Sequence, residues 1–247
     1  MATNINEYSH KNSHKMWYLS TLLSMNKPSN SFPLLISLEA LIGAGKSTFL
    51  EYLKIHFKNQ AEICFLDEPI NEWNTIQDEE KTPMLVKFYE NPKKYGFSFQ
   101  VLVFLTRYIR LRDALANPNY KVIITERCLE SDFYIFAKMS YEYMKNMEKV
   151  EYEIYLKMVK EIEITVANQL FVYINVSSSV CMKRIKLRNR EGEEKLTMEY
   201  LNMLDHYHRM WLYNQRSNVM VLEARSRLFS VIIIYLLLSF QIGDIHQ

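Results

Sequence analysis

One short segment constrains the fold more than any other. Residues 36–48 read ISLEALIGAGKST, an apolar run that passes through small residues into Lys46, Ser47 and Thr48. A strand, a glycine-containing loop and a helix in this order are typical of a phosphate-binding loop. Successive backbone N–H groups of such a loop, together with the positive end of the following helix, form a nest for an anion. The segment therefore predicts a site for a nucleoside triphosphate.

Within this loop the polar residues have predicted roles. Lys46 would reach the terminal phosphates, and the Ser47 hydroxyl would hold Mg²⁺. Ala40 stands where the usual pattern has its first glycine, and a β-carbon there can obstruct a tight turn. A chance match is the alternative interpretation, which the apolar strand and amphipathic helix on either side disfavour. The residues predicted to bind the triphosphate are Ala40, Gly43, Ala44, Gly45, Lys46, Ser47 and Thr48.

Strand-like apolar runs alternate with helical patterns along the chain. The predicted strands are Leu34–Glu39, Glu62–Leu66, Val122–Glu126, Leu170–Val176 and Val219–Glu223. The predicted helices are Thr48–Lys58, Leu85–Asn91, Phe97–Ala116, Ser131–Met147, Glu151–Asn168, Ser178–Arg188 and Met198–Arg216. This alternation predicts an α/β fold of the P-loop NTPase type, with a parallel sheet flanked by helices on both faces. Ligands of such sheets bind beyond the carboxyl ends of the strands.

The length of 247 residues favours one folded domain. We expect residues 1–32 to form a disordered extension, residues 33–224 to form the domain, and residues 225–247 to form an atypical apolar tail packed on it. The apolar run Val231–Phe240 in that tail is shorter than the roughly 18–20 residues needed to cross a bilayer. Membrane attachment of the tail is the alternative interpretation.

Charge and cysteine content bear on the partners and the compartment of the protein. The formal net charge of +2 gives no indication of nucleic-acid or membrane binding. Cys64, Cys128 and Cys181 are far apart and lack zinc-site spacing, which favours a reducing compartment. Residues 1–32 contain no arginine, so mitochondrial import is not supported, and we expect a cytoplasmic protein.

Charged residues follow two of the predicted strands. Pro69 restrains Glu68 to an extended conformation, and a carboxylate held at a strand end can act as general base on a hydroxyl. After the third strand, Glu126 would serve Mg²⁺ and Arg127 would neutralise a transferred phosphoryl group. A solvated acid at position 68 and a buried structural ion pair at 126–127 are the alternatives.

A cluster of arginines near the end of the domain is a candidate lid. Arg184 and Arg188 are one helical turn apart and share a face, and Arg190 follows closely. A mobile arginine-rich lid over a triphosphate would stabilise charge in the transition state and exclude water. A solvated basic helix face is the alternative.

The order of these motifs resembles that of the deoxynucleoside kinases. LEALIGAGKST is followed by DEPINEW, ENPKKYGFSFQVLVFLTR and ITERCLESDFYIFA, and MKRIKLRNREGEEKLTMEYL is similar to the family's lid and the helix after it. The resemblance runs from Leu34 to Glu223 and is strongest for the deoxycytidine and deoxyguanosine kinase branch, which viruses also carry. It implies that ATP and Mg²⁺ are used to phosphorylate the 5′-hydroxyl of a deoxynucleoside in nucleotide salvage.

The resemblance assigns several residues to the deoxynucleoside. Glu68 matches the base that takes the proton from the 5′-hydroxyl, and Trp73 matches an aromatic residue beside the sugar and base. Tyr89 and Glu193 match the pair that holds the 3′-hydroxyl, a contact by which a site can prefer deoxyribose. Gln100 matches the amide that hydrogen-bonds the edge of the nucleobase.

Base choice depends on Arg107 and Asp132. They match a charged pair in the cytidine- and purine-using branch, where the thymidine-using branch has uncharged residues. The resemblance therefore implies a preference for deoxycytidine or purine deoxynucleosides over thymidine. Val103, near this pocket, is bulkier than expected for a pure deoxycytidine enzyme.

The catalytic residues follow from the family's E-R-S motif, in which Cys128 replaces the serine. Glu126 at this position is sometimes assigned as the base in the family, but we favour Glu68 as base and Glu126 as the acid on the metal side. Arg127 would bridge the reacting phosphate. The lid cations are Arg184, which can also stack on adenine, Arg188 and Arg190.

Two other functions remain open from the sequence. A nucleoside monophosphate kinase, such as thymidylate kinase, shares the fold, but the Arg107–Asp132 pair argues against it. A nucleotide-binding protein without turnover is the other, and the retained Lys46 and Glu68 argue against that. The resemblance further implies a homodimer packed through helices, for which Phe97–Ala116 and Ser131–Met147 are the candidates.

Overall fold

The computed structural model describes residues 32–162, 168–190, 192–215 and 218–223. The predictions for the tail 225–247 and for nearly all of the extension 1–32 lie outside these residues. The strands are β1 Leu34–Glu39, β2 Ile63–Leu66, β3 Val122–Glu126, β4 Asn168–Asn175 and β5 Val219–Glu223. The helices are α1 Lys46–His56, α2 Ile70–Thr75, α3 Met84–Glu90, α4 Pro92–Ala116, α5 Leu129–Ser131, α6 Lys138–Glu142, α7 Lys149–Glu161, α8 Ser178–Arg188 and α9 Met198–Gln215, with a π-helix at Asp132–Ala137 and a 3₁₀-helix at Glu193–Lys195.

The five strands form one parallel sheet in the order β2-β3-β1-β4-β5. β1 lies at the centre, and from Leu35 to Glu39 it is buried. A strand covered on both faces reads as a nearly continuous apolar run, as β1 does. Because the strands are parallel, all of their carboxyl ends lie at the same edge, where Leu38 is in register with Glu126 and Glu39 with Tyr173.

Helices cover both faces of the sheet. On one face, Ile36 and Ile124 pack with Leu50 of α1. On the other, Leu35 packs with Leu111 of α4. The predicted α/β fold with a parallel sheet between helices is thus confirmed. No helix in the parts of the chain that the structure describes combines the length and apolarity needed to cross a bilayer.

The long helix α4 carries polar side chains into the interior. The Asn91 side chain caps it by accepting a hydrogen bond from the Lys94 N–H at 3.2 Å, and Pro92 occupies the first turn, where its missing N–H has no cost. Gln100 and Arg107 are buried on α4 together with apolar neighbours. A buried guanidinium on a helix requires a partner across from it, and the π-helix provides one.

Several predicted boundaries were wrong in ways that have physical causes. The predicted helix Ser131–Met147 is divided into α5, a π-helix and α6, and it ends at Glu142; Lys145 has φ +54° and turns the chain. The helix predicted to run from Glu151 to Asn168 ends at Glu161, and Asn168 begins β4 instead. α4 begins five residues before the predicted Phe97, because Pro92 starts a helix rather than preventing one.

Candidate active site

One cavity of about 450 Å³ lies at the carboxyl edge of the sheet. All but two of the residues predicted to bind ligands line it, and the two exceptions are Ala40 and Ala44. Phosphate-loop residues form one end of this cavity. Residues of α4 and the π-helix form the other. The sheet edge therefore brings together the loop, the strand-end acids and the predicted nucleobase residues.

The phosphate loop is fixed by two glycines in the left-handed region. Gly43 has φ +79° and Gly45 has φ +102°. A β-carbon on Gly43 would lie 2.7 Å from the carbonyl oxygen of Cys181 and 2.8 Å from Cγ1 of Ile185, so only glycine allows α8 to pack this closely. The loop and the first turns of α8 thus form one packed unit.

Ala40 and Ala44 support the loop from behind. Ala40 is fully buried in the apolar cluster beneath the loop, and it is not among the described residues with positive φ. A β-carbon is therefore accommodated where the usual pattern has glycine. The carbonyl of Ala44 accepts a hydrogen bond from Arg184 Nη1 at 2.7 Å, which ties the first lid cation to the loop.

Lys46, Ser47 and Glu126 meet at the start of α1. The Ser47 hydroxyl donates to Glu126 Oε1 at 2.9 Å, and Lys46 Nζ lies 3.9 Å from the same oxygen. Burial, and after it the nearby Arg127, lower the pKa of Lys46 to about 8. Negative phosphate charge beside Lys46 would stabilise its protonated, charged form. Hydroxyl and carboxylate oxygens are also the ligands that Mg²⁺ prefers.

Arg127 lies between two carboxylates. Its Nε is 3.5 Å from Glu68 Oε1, and its Nη1 is 3.7 Å from Glu39 Oε2. The guanidinium carbon lies 4.6 Å from the centre of the Phe136 ring, a cation–π contact. Burial alone would raise the pKa of Glu68, but Arg127, Lys46 and other cations together outweigh burial, and this pKa is lowered. Glu68 is therefore ionised at neutral pH.

The opposite end of the cavity holds a buried charged pair. Arg107 Nε donates to Asp132 Oδ2 at 2.8 Å, and Arg107 Nη1 donates to the carbonyl of Glu126 at 2.7 Å. Burial raises the pKa of Asp132 although Arg107 opposes it. Arg107 Nη2, Asp132 Oδ1 and Gln100 Oε1 are buried without a hydrogen-bond partner. Such atoms are costly unless a ligand satisfies them.

Aromatic residues form the wall between the two ends. Trp73 Nε1 donates to the Thr106 hydroxyl at 3.0 Å, and the Trp73 ring packs edge-on against Phe99 at 5.5 Å. Burial raises the pKa of Tyr89, and its ring packs against Gly192, where a β-carbon would lie 2.5 Å from Tyr89 Cδ2. Tyr89 is thereby held next to the residue that precedes Glu193.

Two of the three lid cations, Arg188 and Arg190, pair with Glu193. Arg188 donates from Nη2 to both carboxylate oxygens of Glu193, at 2.6 and 2.8 Å, and Arg190 Nη1 lies 3.5 Å from Glu193 Oε1. The sequence predicted Arg188 and Arg190 for the phosphates and Glu193 for the sugar. The structure places these three residues together at the cavity wall.

Glu39 and Ser140 are two of the residues at the site to which the sequence assigned no role. Glu39 ends β1 and is fully buried beside Arg127, and its position at the end of an apolar strand is the signal that marks it. Ser140 lines the cavity with a buried, unpartnered hydroxyl. Asp132, Phe136 and Ser140 follow one another at intervals of four residues, and all three line the cavity.

A phosphate loop, strand-end acids and an arginine-rich lid around one cavity define a P-loop phosphotransferase. The model of the deoxynucleoside kinase family matches residues 36–232, and the chain belongs to that family. The mitochondrial deoxyguanosine kinase of Xenopus laevis is 32% identical over 219 residues, which are 81% of this chain and 80% of that protein. A probable deoxycytidine kinase of fowlpox virus is 33% identical over 179 residues, 72% of this chain and 71% of that one. Human deoxycytidine kinase is 32% identical over 205 residues, 73% of this chain and 75% of that one. The protein is accordingly a deoxynucleoside kinase, a phosphotransferase that uses ATP.

Proposed function

We propose that the enzyme transfers the γ-phosphate of ATP to the 5′-hydroxyl of deoxycytidine or a purine deoxynucleoside in preference to thymidine. The observation that carries this proposal is the set of unpartnered polar atoms on Gln100, Arg107 and Asp132 in the cavity that also holds the phosphate loop. A nucleobase bound there would have its sugar between the two ends, with the 5′-hydroxyl directed to the loop.

The unpartnered atoms favour a base with an exocyclic amino group. Gln100 Oε1 and Asp132 Oδ1 are acceptors, and Arg107 Nη2 is a donor. Cytosine, adenine and guanine each carry an amino group with two N–H bonds, whereas thymine offers a single ring N–H. Thymine would leave one buried acceptor unpaired, at a cost of about 1–3 kcal/mol. The names of the relatives, deoxycytidine and deoxyguanosine kinases, agree with this preference.

The proposed chemistry needs a base and charge stabilisation rather than a covalent intermediate. Glu68 is ionised and lines the cavity, so it can accept the proton of the 5′-hydroxyl as that oxygen attacks phosphorus. Arg127, 3.5 Å from Glu68, is placed to contact the phosphoryl group during transfer. Lys46 at the loop would contact the β- and γ-phosphates.

Ser47 and Glu126 are the proposed Mg²⁺ residues. Their oxygens already lie 2.9 Å apart at the mouth of the loop, and hard oxygen donors of this kind suit Mg²⁺ together with phosphate oxygens and water. In the described parts of the chain no three His, Cys, Asp or Glu side chains cluster as a metal site. Bound Mg²⁺ would neutralise phosphate charge and orient the triphosphate.

The lid and the sugar site share residues in this proposal. Tyr89 and Glu193 would hold the 3′-hydroxyl, and Arg188 and Arg190 would turn from Glu193 to the phosphates when both substrates are bound. Arg184 remains tied to the carbonyl of Ala44 and places its charge beside the loop.

Turnover of the four deoxynucleosides with ATP and Mg²⁺ tests the proposal. We expect deoxycytidine or a purine deoxynucleoside to have the highest kcat/KM, and Glu68→Gln to reduce kcat by about 10²–10⁴-fold. Glu72→Gln is the matched control, because Glu72 is an exposed residue paired with Arg110 and does not line the cavity. Thymidine as the best substrate, or transfer only to a monophosphate, would contradict the proposal.

We also propose a cytoplasmic homodimer. Leu105 and Ile109 on α4, and Val150 and Ile154 on the neighbouring α7, are large apolar side chains exposed to solvent. They support an interface that includes the predicted helix α4, with α7 beside it. Sedimentation of the protein and of Ile109→Glu tests this: a monomer in both would reject the dimer. The three free thiols support a reducing compartment.

A further inference from the structure

Glu39 is a buried acid that the proposed chemistry does not use. It is fully buried at the end of β1, and neither carboxylate oxygen accepts a hydrogen bond from a nitrogen or oxygen donor in the described chain. Burial raises its pKa to about 7, although Arg127 opposes this shift. The hydrogen-bond donor that faces Glu39 is the Cys128 thiol, which is a weak donor. A buried carboxylate with no stronger donor weakens a fold rather than stabilising it.

The nearest cation to Glu39 is the guanidinium of Arg127. Nη1 of Arg127 lies 3.7 Å from Glu39 Oε2 and has no hydrogen-bond partner of its own. The Arg127 backbone is in the left-handed region, at φ +67°, and its N–H donates to the carbonyl of Leu38 at 3.0 Å. This unusual backbone turns the Arg127 side chain back over the end of β1, toward Glu39.

The two carboxylates that flank Arg127 differ in their access to ligands. Glu68 lines the cavity, whereas Glu39 does not. A substrate can therefore displace Arg127 from Glu68 but cannot reach Glu39. The distances of 3.5 and 3.7 Å are those of ion pairs rather than hydrogen bonds, so the guanidinium keeps its N–H groups for an incoming oxygen.

We propose that Glu39 is a positioning residue that keeps the Arg127 guanidinium at the cavity wall and prevents it from closing onto Glu68. With Glu39 present, Arg127 is balanced between two acids and can contact the phosphoryl group. Without it, Arg127 would form a close hydrogen-bonded pair with Glu68, which would occupy both the base and the cation. This inference rests on the proposed roles of Glu68 and Arg127.

A role in positioning predicts a separation between stability and activity. Glu39→Gln keeps the shape of the side chain and removes a buried charge, and Arg127 retains Glu68 as a partner. Breaking a buried ion pair is costly when it leaves the other charge unpaired. Here Arg127 keeps Glu68 as its ion-pair partner, and Glu39 has no nitrogen or oxygen hydrogen-bond donor to lose, so we expect no loss of stability. A residue that serves only the fold would instead lose activity in step with stability.

The test is a double-mutant cycle between Glu39→Gln and Arg127→Met, with kcat, KM for both substrates and Tm measured for each protein. We expect Arg127→Met to reduce kcat by about 100-fold. Glu39→Gln should reduce kcat at least about 10-fold, with KM values changed by less than about threefold and Tm not lowered. In the Arg127→Met background, Glu39→Gln should change kcat by less than about twofold, because the residue on which it acts is gone.

Three results would overturn the inference. They are an unchanged kcat in Glu39→Gln, an equal fall in both backgrounds, and a fall in Tm that accounts for the lost activity. Glu62→Gln is the control, a partly exposed acid at the opposite edge of the sheet that pairs with Lys121. Full activity in Arg127→Met would reject the proposed role of Arg127, whereas loss there with none in Glu39→Gln would reject only the role of Glu39.

Discussion

The polar groups at the two ends of the cavity differ in how well they are paired. The phosphate end is formed by the phosphate-loop residues, and the nucleobase end is formed by residues of α4 and the π-helix. At the phosphate end, several charged and polar groups are paired within the protein: Ser47 and Lys46 with Glu126, and Arg188 with Glu193. At the nucleobase end, polar atoms of Gln100, Arg107, Asp132 and Ser140 are buried and unpaired. One end must break contacts to receive a ligand, whereas the other lacks contacts until a ligand arrives.

This difference suggests separate roles for the two ends: the phosphate end for binding the triphosphate, and the nucleobase end for selecting the base. Under the proposed function, a triphosphate would replace the internal ion pairs of Lys46 and Arg188, so the phosphate end would have to rearrange. The unpaired atoms at the nucleobase end would discriminate against any base that leaves one of them unsatisfied. Selectivity for the acceptor is therefore expected to reside in Gln100, Arg107 and Asp132, and adaptability in Arg188 and Arg190.

The largest expected effect comes from breaking the pair at the nucleobase end. Asp132→Ala leaves the buried Arg107 without its carboxylate and should lower the free energy of unfolding by about 3–5 kcal/mol. Urea denaturation measures this loss. The double variant Asp132→Ala/Arg107→Met removes both charges and should recover most of it. A stable Asp132→Ala protein that still prefers bases with an amino group would contradict the role of this pair in base selection.

His208 is a buried polar residue that does not line the cavity, so it shows what burial does to a group that no ligand contacts. Burial, and then Arg127, lower its pKa to about 3, so His208 stays neutral while an unfolded histidine binds a proton below about pH 6.5. The unfolded state therefore gains protons first, and stability falls as the pH drops from 6.5 toward 3. Near pH 4 this costs about 3 kcal/mol. In His208→Leu, the free energy of unfolding should therefore fall by about 3 kcal/mol less between pH 6.5 and pH 4 than in the unmodified protein. Parallel plots of this free energy against pH for the two proteins would contradict the prediction.

At the phosphate end, Glu193→Gln should affect binding more than stability. Arg188 and Arg190 remain about a third exposed, so loss of their partner should change the free energy of unfolding by less than about 1 kcal/mol. KM for the deoxynucleoside should rise about tenfold because the 3′-hydroxyl loses a charged acceptor. A 2′,3′-dideoxynucleoside lacks that hydroxyl and serves as the control. An equal rise in KM for both nucleosides would remove Glu193 from the sugar site.

The smallest effect is expected at Ser140. Ser140→Ala removes an unpaired buried hydroxyl, so stability should be unchanged or slightly higher. If the hydroxyl bonds to the base, kcat/KM for the preferred nucleoside should fall about threefold. Ser179→Ala, outside the cavity, is the control. Unchanged kcat/KM for all four deoxynucleosides would leave the nucleobase end with three polar contacts rather than four.

The sequence predicted the parts of this molecule that depend on local pattern. The phosphate loop and the five strands follow from apolar runs, glycines and their spacing, and the structure has them within two residues. The pair Arg107–Asp132 was found only through the family resemblance, since twenty-five positions separate its members and no local pattern joins them.

What the sequence did not predict depends on tertiary packing. The π-helix that begins at Asp132 has the same residue types as an ordinary helix. The pairing of Arg188 with Glu193 and the isolation of Glu39 are properties of the folded interior, not of any spacing. Glu39 could be identified as a strand-end acid, but its lack of a nitrogen or oxygen hydrogen-bond donor could not.

The missing side chain of Gly43 has a consequence for motion. The carbonyl of Cys181 occupies the space that a β-carbon would need, and Arg184 is bonded to Ala44, so the start of α8 is attached to the loop at two points. Any displacement of this part of α8 relative to the phosphate loop therefore has to break the Arg184–Ala44 hydrogen bond and open the close packing at Gly43.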